Sequence, residues 1–121
     1  MLKLLALLLA PVAALAQAPV PTEFPSDAVP LASEALKQRL TGKVFLVSPV
    51  IGAPLRVEYR DTYAFVNVGN FSDSGKWRVE GSSVCVDWKK APPSCSDARL
   101  TGDILYVKRT SNGEIVAMHP K

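Results

Sequence analysis

The chain is poor in the groups on which most enzymes depend. It has a single histidine, His119, and two cysteines, Cys85 and Cys95. Zinc wants three or four ligands, and two cysteines with one distant histidine make a poor set. One histidine also leaves a Ser–His–Asp or Cys–His arrangement with only one candidate base. No Gly-rich phosphate loop precedes a helix, which argues against nucleotide use. Charge of one sign is scarce as well. Fourteen Lys and Arg stand against eleven Asp and Glu, a net charge of +3. The basic residues come as scattered pairs, Lys89-Lys90 and Lys108-Arg109, rather than as one stripe. Such a surface is mixed and soluble, and it does not make a nucleic-acid binder.

Long apolar runs are missing beyond the first residues. There, MLKLLALLLAPVAALAQA has the three parts of a secretory signal: Lys3, an apolar run from Leu4 to Ala10 extended by Val12–Ala16, and small residues at a cleavage site after Ala16 or Ala18. The run is shorter than the ~20 residues of a spanning helix and is broken by Pro11. Residues 1–18 are therefore expected to be a cleaved signal peptide, leaving no stable membrane anchor and a periplasmic or secreted product. Two cysteines in an exported chain point to a disulfide, Cys85–Cys95.

Residues 19–29, within PVPTEFPSDAVP, are proline-rich and without apolar period, and are expected to be a mobile or loosely docked lead-in. Residues 30–121 are expected to form a single β-rich domain. One helix is predicted over Pro30–Leu40, with Val29, Ala32, Leu36 and Leu40 as its apolar stripe and Gly42 past its end. Strands are predicted at Lys43–Ser48, Leu55–Arg60, Tyr63–Gly69, Gly75–Glu80, Ser83–Trp88, Ser94–Leu100, Ile104–Thr110 and Glu114–His119, with short turns rich in Gly, Ser, Asn and Asp. The fold class is mainly β: a small antiparallel meander or barrel-like sheet of about eight strands, one N-terminal helix and one disulfide.

Two hairpins carry enough local signal for a register. A two-residue turn at Gly81-Ser82 pairs Glu80 with Ser83, Val79 with Val84, Arg78 with Cys85, Trp77 with Val86, Lys76 with Asp87 and Gly75 with Trp88. Alternation then puts Trp77, Val79, Val84, Val86 and Trp88 on one face, with Gly75 making room for the Trp88 ring. The other face sets Lys76 against Asp87 and leaves Cys85 within reach of Cys95 on the next strand. At the C-terminus, Asn112-Gly113 as a type I′ turn pairs Val107 with Met118 and Tyr106 with His119, which places the histidine on an outer face.

Leu40-Thr41-Gly42, then Gly75-Lys76-Trp77, then Cys85-Val86-Asp87-Trp88 and Cys95 resemble a family of small exported bacterial proteins of unknown function, in which Gly-x-Trp is followed by Cys-x-x-Trp and Cys. The resemblance implies a bacterial periplasmic setting and a small β-domain, and it brings no catalytic residues. Gly75-x-Trp77 is also similar to the Gly-x-Trp of lipocalin-like barrels, although there the motif opens the first strand and here it lies in mid-chain.

The carboxylates Glu58, Asp61, Asp73, Asp87, Asp97 and Asp103 show no spacing that pairs two of them for acid–base work. Asn70-Phe71-Ser72 matches a glycosylation sequon, relevant only to a eukaryotic secretory pathway. The expectation is no enzyme and no cofactor. The leading expectation is a non-catalytic interaction module that meets a periplasmic or envelope protein. Its surface would be Arg78 with the disulfide-pinned loop bearing Lys89, Lys90, Pro92 and Pro93. The alternative is a lipocalin-like small-molecule carrier with an aromatic pocket of Trp77, Trp88, Tyr63 and Phe65. Two tryptophans are expected to fill much of so small a barrel.

Overall fold

The structure, a computed structural model, describes residues 19–121; the expected signal segment, residues 1–18, lies outside them. In chain order the elements are strand β1 (Val29–Pro30), helix α1 (Ser33–Leu40), and strands β2 (Lys43–Val47), β3 (Leu55–Tyr59), β4 (Tyr63–Val68), β5 (Phe71–Glu80), β6 (Ser83–Trp88), β7 (Ser94–Thr101), β8 (Ile104–Lys108) and β9 (Ile115–Pro120). From β2 to β9 every strand pairs antiparallel with the next, and β9 returns to pair with β2 through Phe45–Pro120 and Leu46–His119. The eight strands therefore close into an up-and-down barrel, which leaves no free sheet edge along the ring.

The β5–β6 hairpin has the register that alternation and a two-residue turn dictate, with all six pairs from Gly75–Trp88 to Glu80–Ser83. Gly81 has φ +58° and Ser82 is not in the left-handed region, the pattern of a type II′ turn. Cys85 faces Cys95 across β6–β7, and the two are joined as a disulfide. Gly75 serves a purpose other than room for an indole. A Cβ there would come within 2.6 Å of the Asp87 carbonyl carbon and 2.9 Å of the Trp88 Cα, so it is the β6 backbone that requires glycine.

The helix is shorter than expected and is not the first element. Pro30 and Val29 instead form the short edge strand β1 against Arg99 and Leu100 of β7, where a proline without an N–H is tolerated. The stripe is correspondingly narrower: Leu36 and Leu40 are wholly buried, while Val29 and Ala32 are exposed. Glu34 in the first turn and Lys37 and Arg39 in the last complement the helix dipole. Thr41 and then Gly42 at φ +75° end it, and the Gly42 N–H passes to the Tyr59 carbonyl at 2.7 Å. The lead-in is tied to the barrel: the Pro21 carbonyl accepts the Ile115 N–H at 2.8 Å, and Phe24 lies under the Arg99 guanidinium at 4.5 Å.

The C-terminal hairpin is shifted by two residues from the Asn112-Gly113 expectation. Val107 pairs with Val116, Tyr106 with Ala117 and Leu105 with Met118, and only Gly113 of the loop has positive φ. A type I′ turn needs positive φ at both central residues, so it is not formed. His119 is exposed and faces Leu46 of β2 rather than Tyr106. Because the shift is even, the same side chains still point inward.

Closure and connection order define two ends. The turns 60–62, 81–82 and 102–103 lie at one, together with α1, whose Ser33 hydroxyl donates to the Gly81 carbonyl at 2.8 Å. The loops 48–54, 69–70, 89–93 and 109–114 gather at the other.

Candidate functional site

Inward side chains change in size from one end of the barrel to the other. At the α1 end they are large: Phe45, Tyr59, Trp77 and Leu105 pack with Leu36 and Leu40 of the helix. Tyr59 meets Phe45 and Trp77 edge to face, with ring centroids 6.1 and 5.1 Å apart. The Trp77 indole N–H donates to the Arg60 carbonyl at 2.6 Å, so its one polar atom is satisfied. Burial pushes the Tyr59 phenol well above its ordinary pKa, keeping it neutral.

Above that floor the inward residues are mostly valines, with Met118 and Ser96, and they do not meet across the barrel. The result is a cavity of about 560 Å³ walled by Val47, Val57, Val66, Val84, Val86, Val107 and Val116. The two tryptophans do not fill the interior together as expected: Trp77 packs into the lower half, and Trp88 lines the open one. Leu55, Trp88, Pro92, Pro93, Arg109, Thr110 and Ser111 line the mouth.

Two buried carboxylates shape that mouth. Asp73 continues the inward phase of Gly75 and Trp77 and accepts the N–H groups of Ala91 at 2.9 Å, Lys90 at 3.1 Å and Ser74 at 2.8 Å. Glu114, 1% exposed, accepts Val50 N–H at 2.7 Å and Ile51 N–H at 3.1 Å, and Arg109 Nη1 lies 3.3 Å from its Oε1. Desolvation pulls both pKa values up, but these donors outweigh it, and both carboxyls are held below their ordinary values. Each carboxylate belongs to one loop or strand and anchors the backbone of another.

The residues expected from sequence divide accordingly. Trp88 lines the cavity, with its indole N–H 3.2 Å from the Ser94 hydroxyl. Trp77 lies in the packed floor rather than in the cavity wall. Tyr63 and Phe65 do not line this cavity; they have the outward phase of β4, beneath Lys89 and the Arg60 guanidinium respectively, and Phe65 borders a groove on the outer wall. They therefore correct the proposed aromatic pocket: alternation in β4 sends Ala64 and Val66 inward instead.

The loop residues are also redistributed. Pro92 and Pro93 lie at the cavity mouth. Lys89 and Lys90 turn back onto the outer wall, Lys90 Nζ donating to the Ser72 carbonyl at 2.7 Å beside the Phe71 ring. Arg78 is occupied by Glu80 at 2.8 Å and by Asp87 at 3.2 Å, so Asp87 pairs diagonally with Arg78 and not with Lys76. The Glu80 carboxylate also lies near both cysteine sulfurs, but these are joined in the disulfide and offer no thiolate for a metal.

Asp73, Arg109 and Glu114 were missed as site residues. Their signal is phase: Asp73 in β5, and Arg109 and Glu114 one step outside β8 and β9, are charged residues that keep the alternation of the inward positions at the open end of the barrel. Reading it requires knowing that the strand or its phase continues that far.

Among the described residues no helix is long and apolar enough to cross a membrane. Comparison of the chain with protein-family models, with curated proteins and with solved structures finds no match.

Proposed function

We propose that the chain is an exported, non-catalytic binding protein that encloses a small apolar molecule in the open half of its barrel. The observation that carries this reading is the apolar cavity of about 560 Å³, closed at one end by the aromatic floor and open at the other. Ligand sites of small-molecule binders have this size range, this apolar lining and a few polar groups at one side. The disulfide fits an oxidising compartment, and the signal-like start of the chain supports periplasmic or secreted delivery.

Native mass spectrometry of the protein recovered from the cells that make it, beside a denatured control, tests the reading. A small extra mass present only in the native sample is expected, and it should be absent from Val57→Phe, which fills the cavity. Equal capture by that variant, or a bare chain that also fails to bind any apolar ligand in vitro, overturns it.

A second reading, docking onto a periplasmic or envelope protein, is favoured by the outer wall of β4 and β5. Tyr63 is 37% exposed there under Lys89, and Phe71, 46% exposed at the mouth end of β5, lies under Lys90. Lys89→Glu with Lys90→Glu should then abolish capture of one defined envelope protein while the melting temperature stays within a few degrees.

A further inference from the structure

The mouth of the cavity is chemically lopsided. Trp88, Pro92 and Pro93 contribute apolar surface, whereas Arg109, Thr110 and Ser111 contribute hydrogen-bonding groups. Arg109 is the one charged side chain among the described residues that line the cavity. It follows Val107 in the inward phase of β8, which brings it to the level where the valine-lined interior meets water.

Its guanidinium is held from one side. Nη1 donates to the Ile51 carbonyl at 2.7 Å and sits 3.3 Å from Glu114 Oε1. Glu114 in turn is fixed by two backbone N–H groups, so the arginine has a rigid support. Among the described residues, Nε and Nη2 donate to nothing, although the side chain is only 25% exposed. A guanidinium has five N–H donors in a flat fork, and one that is three-quarters covered benefits from an acceptor on its unused edge. The Thr110 and Ser111 side chains beside it are exposed and have no protein hydrogen-bond partner among the described residues; Asp97 borders a separate groove with Arg109 and Thr110, and no carboxylate lines the cavity itself.

From this asymmetry we propose that the ligand is an amphipathic monocarboxylate, its apolar body among the valines and its carboxylate on Arg109, Thr110 and Ser111. The inference rests on the binding-protein reading above and names its ligand class. A single arginine already sharing its charge with Glu114 suits a monoanion better than a phosphate monoester with two charges. The cavity sets the size. At about 30 Å³ per non-hydrogen atom, it holds on the order of 15 to 20 such atoms, the range of a medium-length fatty acid or a compact terpenoid acid.

Calorimetric titration of the purified protein with laurate, 1-dodecanol and dodecyltrimethylammonium tests the assignment, because the three share one chain and differ in headgroup. Saturable 1:1 binding of laurate is expected, at least tenfold tighter than dodecanol, with the ammonium weakest. Arg109→Gln should remove the preference, but it also strips a donor from Glu114. Ser111→Asp is therefore the cleaner variant: it places an anion at the mouth without breaking a hydrogen bond. It should weaken laurate at least tenfold more than it weakens dodecanol. Equal binding of laurate and dodecanol, or laurate binding indifferent to Ser111→Asp, overturns the carboxylate assignment while leaving the cavity reading intact. Binding of none of the three overturns both.

Discussion

The Asp73 carboxylate accepts the backbone N–H of Ala91 at 2.9 Å, and so a residue of β5 holds the loop that carries Pro92 and Pro93 to the cavity mouth. The loop is held near its middle by this contact and at the start of β7 by the Cys85–Cys95 disulfide. Its position is thus set by two side chains that lie outside it or at its edge. The mouth is a built feature of the barrel rather than a solvated turn.

Asp73→Ala should free that loop without unfolding the barrel. The Lys90 and Ala91 N–H groups lose their acceptor, and Gly75, Trp77 and the rest of the β5–β6 ladder keep theirs. Amide hydrogen exchange is expected to accelerate at Lys90 and Ala91 while Val84 and Val86 stay protected. Equal acceleration at Val84 would mean that Asp73 supports the whole hairpin.

Acid should loosen the mouth before it unfolds the chain. Both Asp73 and Glu114 have folded pKa values below their unfolded ones. Their contribution is therefore complete above the unfolded carboxylate range, near about pH 4, and is lost as pH falls through the depressed folded values. Protection of the Val50, Ile51, Lys90 and Ala91 amides should be constant from pH 7 to about pH 5 and should fall steeply below pH 4. A decline centred near neutrality would point to a different titrating group.

Gly75→Ala should be among the more damaging single-methyl additions in the chain. The new Cβ meets the backbone of Asp87 and Trp88, which cannot swing aside as a side chain can. A loss of about 1–3 kcal/mol is expected, typical of overpacking, seen as a lower thermal midpoint with the Trp88 environment altered. An unchanged midpoint would show that β6 shifts freely.

Reduction of the disulfide should cost about 3 kcal/mol on chain-entropy grounds for so short a loop. Cysteines 85 and 95 are separated by ten positions, and the β6–β7 pairs around them remain after reduction. Denaturant unfolding with and without reductant is expected to show a lower midpoint and a barrel that still folds. Complete loss of structure would assign the disulfide a larger share of the stability than its loop length accounts for.

Much of the β5–β6–β7 region was legible in the residues themselves. Trp77, Val79, Val84 and Val86 alternate with polar residues on both sides of Gly81-Ser82, and a two-residue turn leaves one register that buries them together. Cys85 and Cys95 follow from that register because the next strand must lie alongside. The C-terminal hairpin looked equally local, yet it is shifted by two. Glu114 there is engaged by the Val50 and Ile51 N–H groups, more than sixty residues away, as well as by Arg109 of its own loop, so the loop answers to distant partners and not to its turn propensity alone.

The cavity belongs to the same category. Alternation along each strand determined which residues point inward, and the spacing of turn residues determined that about eight strands follow one another. Those are local properties, with side chains repeating every two residues whatever the rest of the chain does. Which inward residues share a level was decided only by closure, through the stagger of eight strands and the β2–β9 pairing. Closure put Phe45, Tyr59 and Trp77 together at one end under α1 and left the valines facing each other across a gap at the other. It also carried Arg109 and Glu114 to the mouth end, where Arg109 reaches water and the buried Glu114 is met by the Val50 and Ile51 N–H groups and by Arg109.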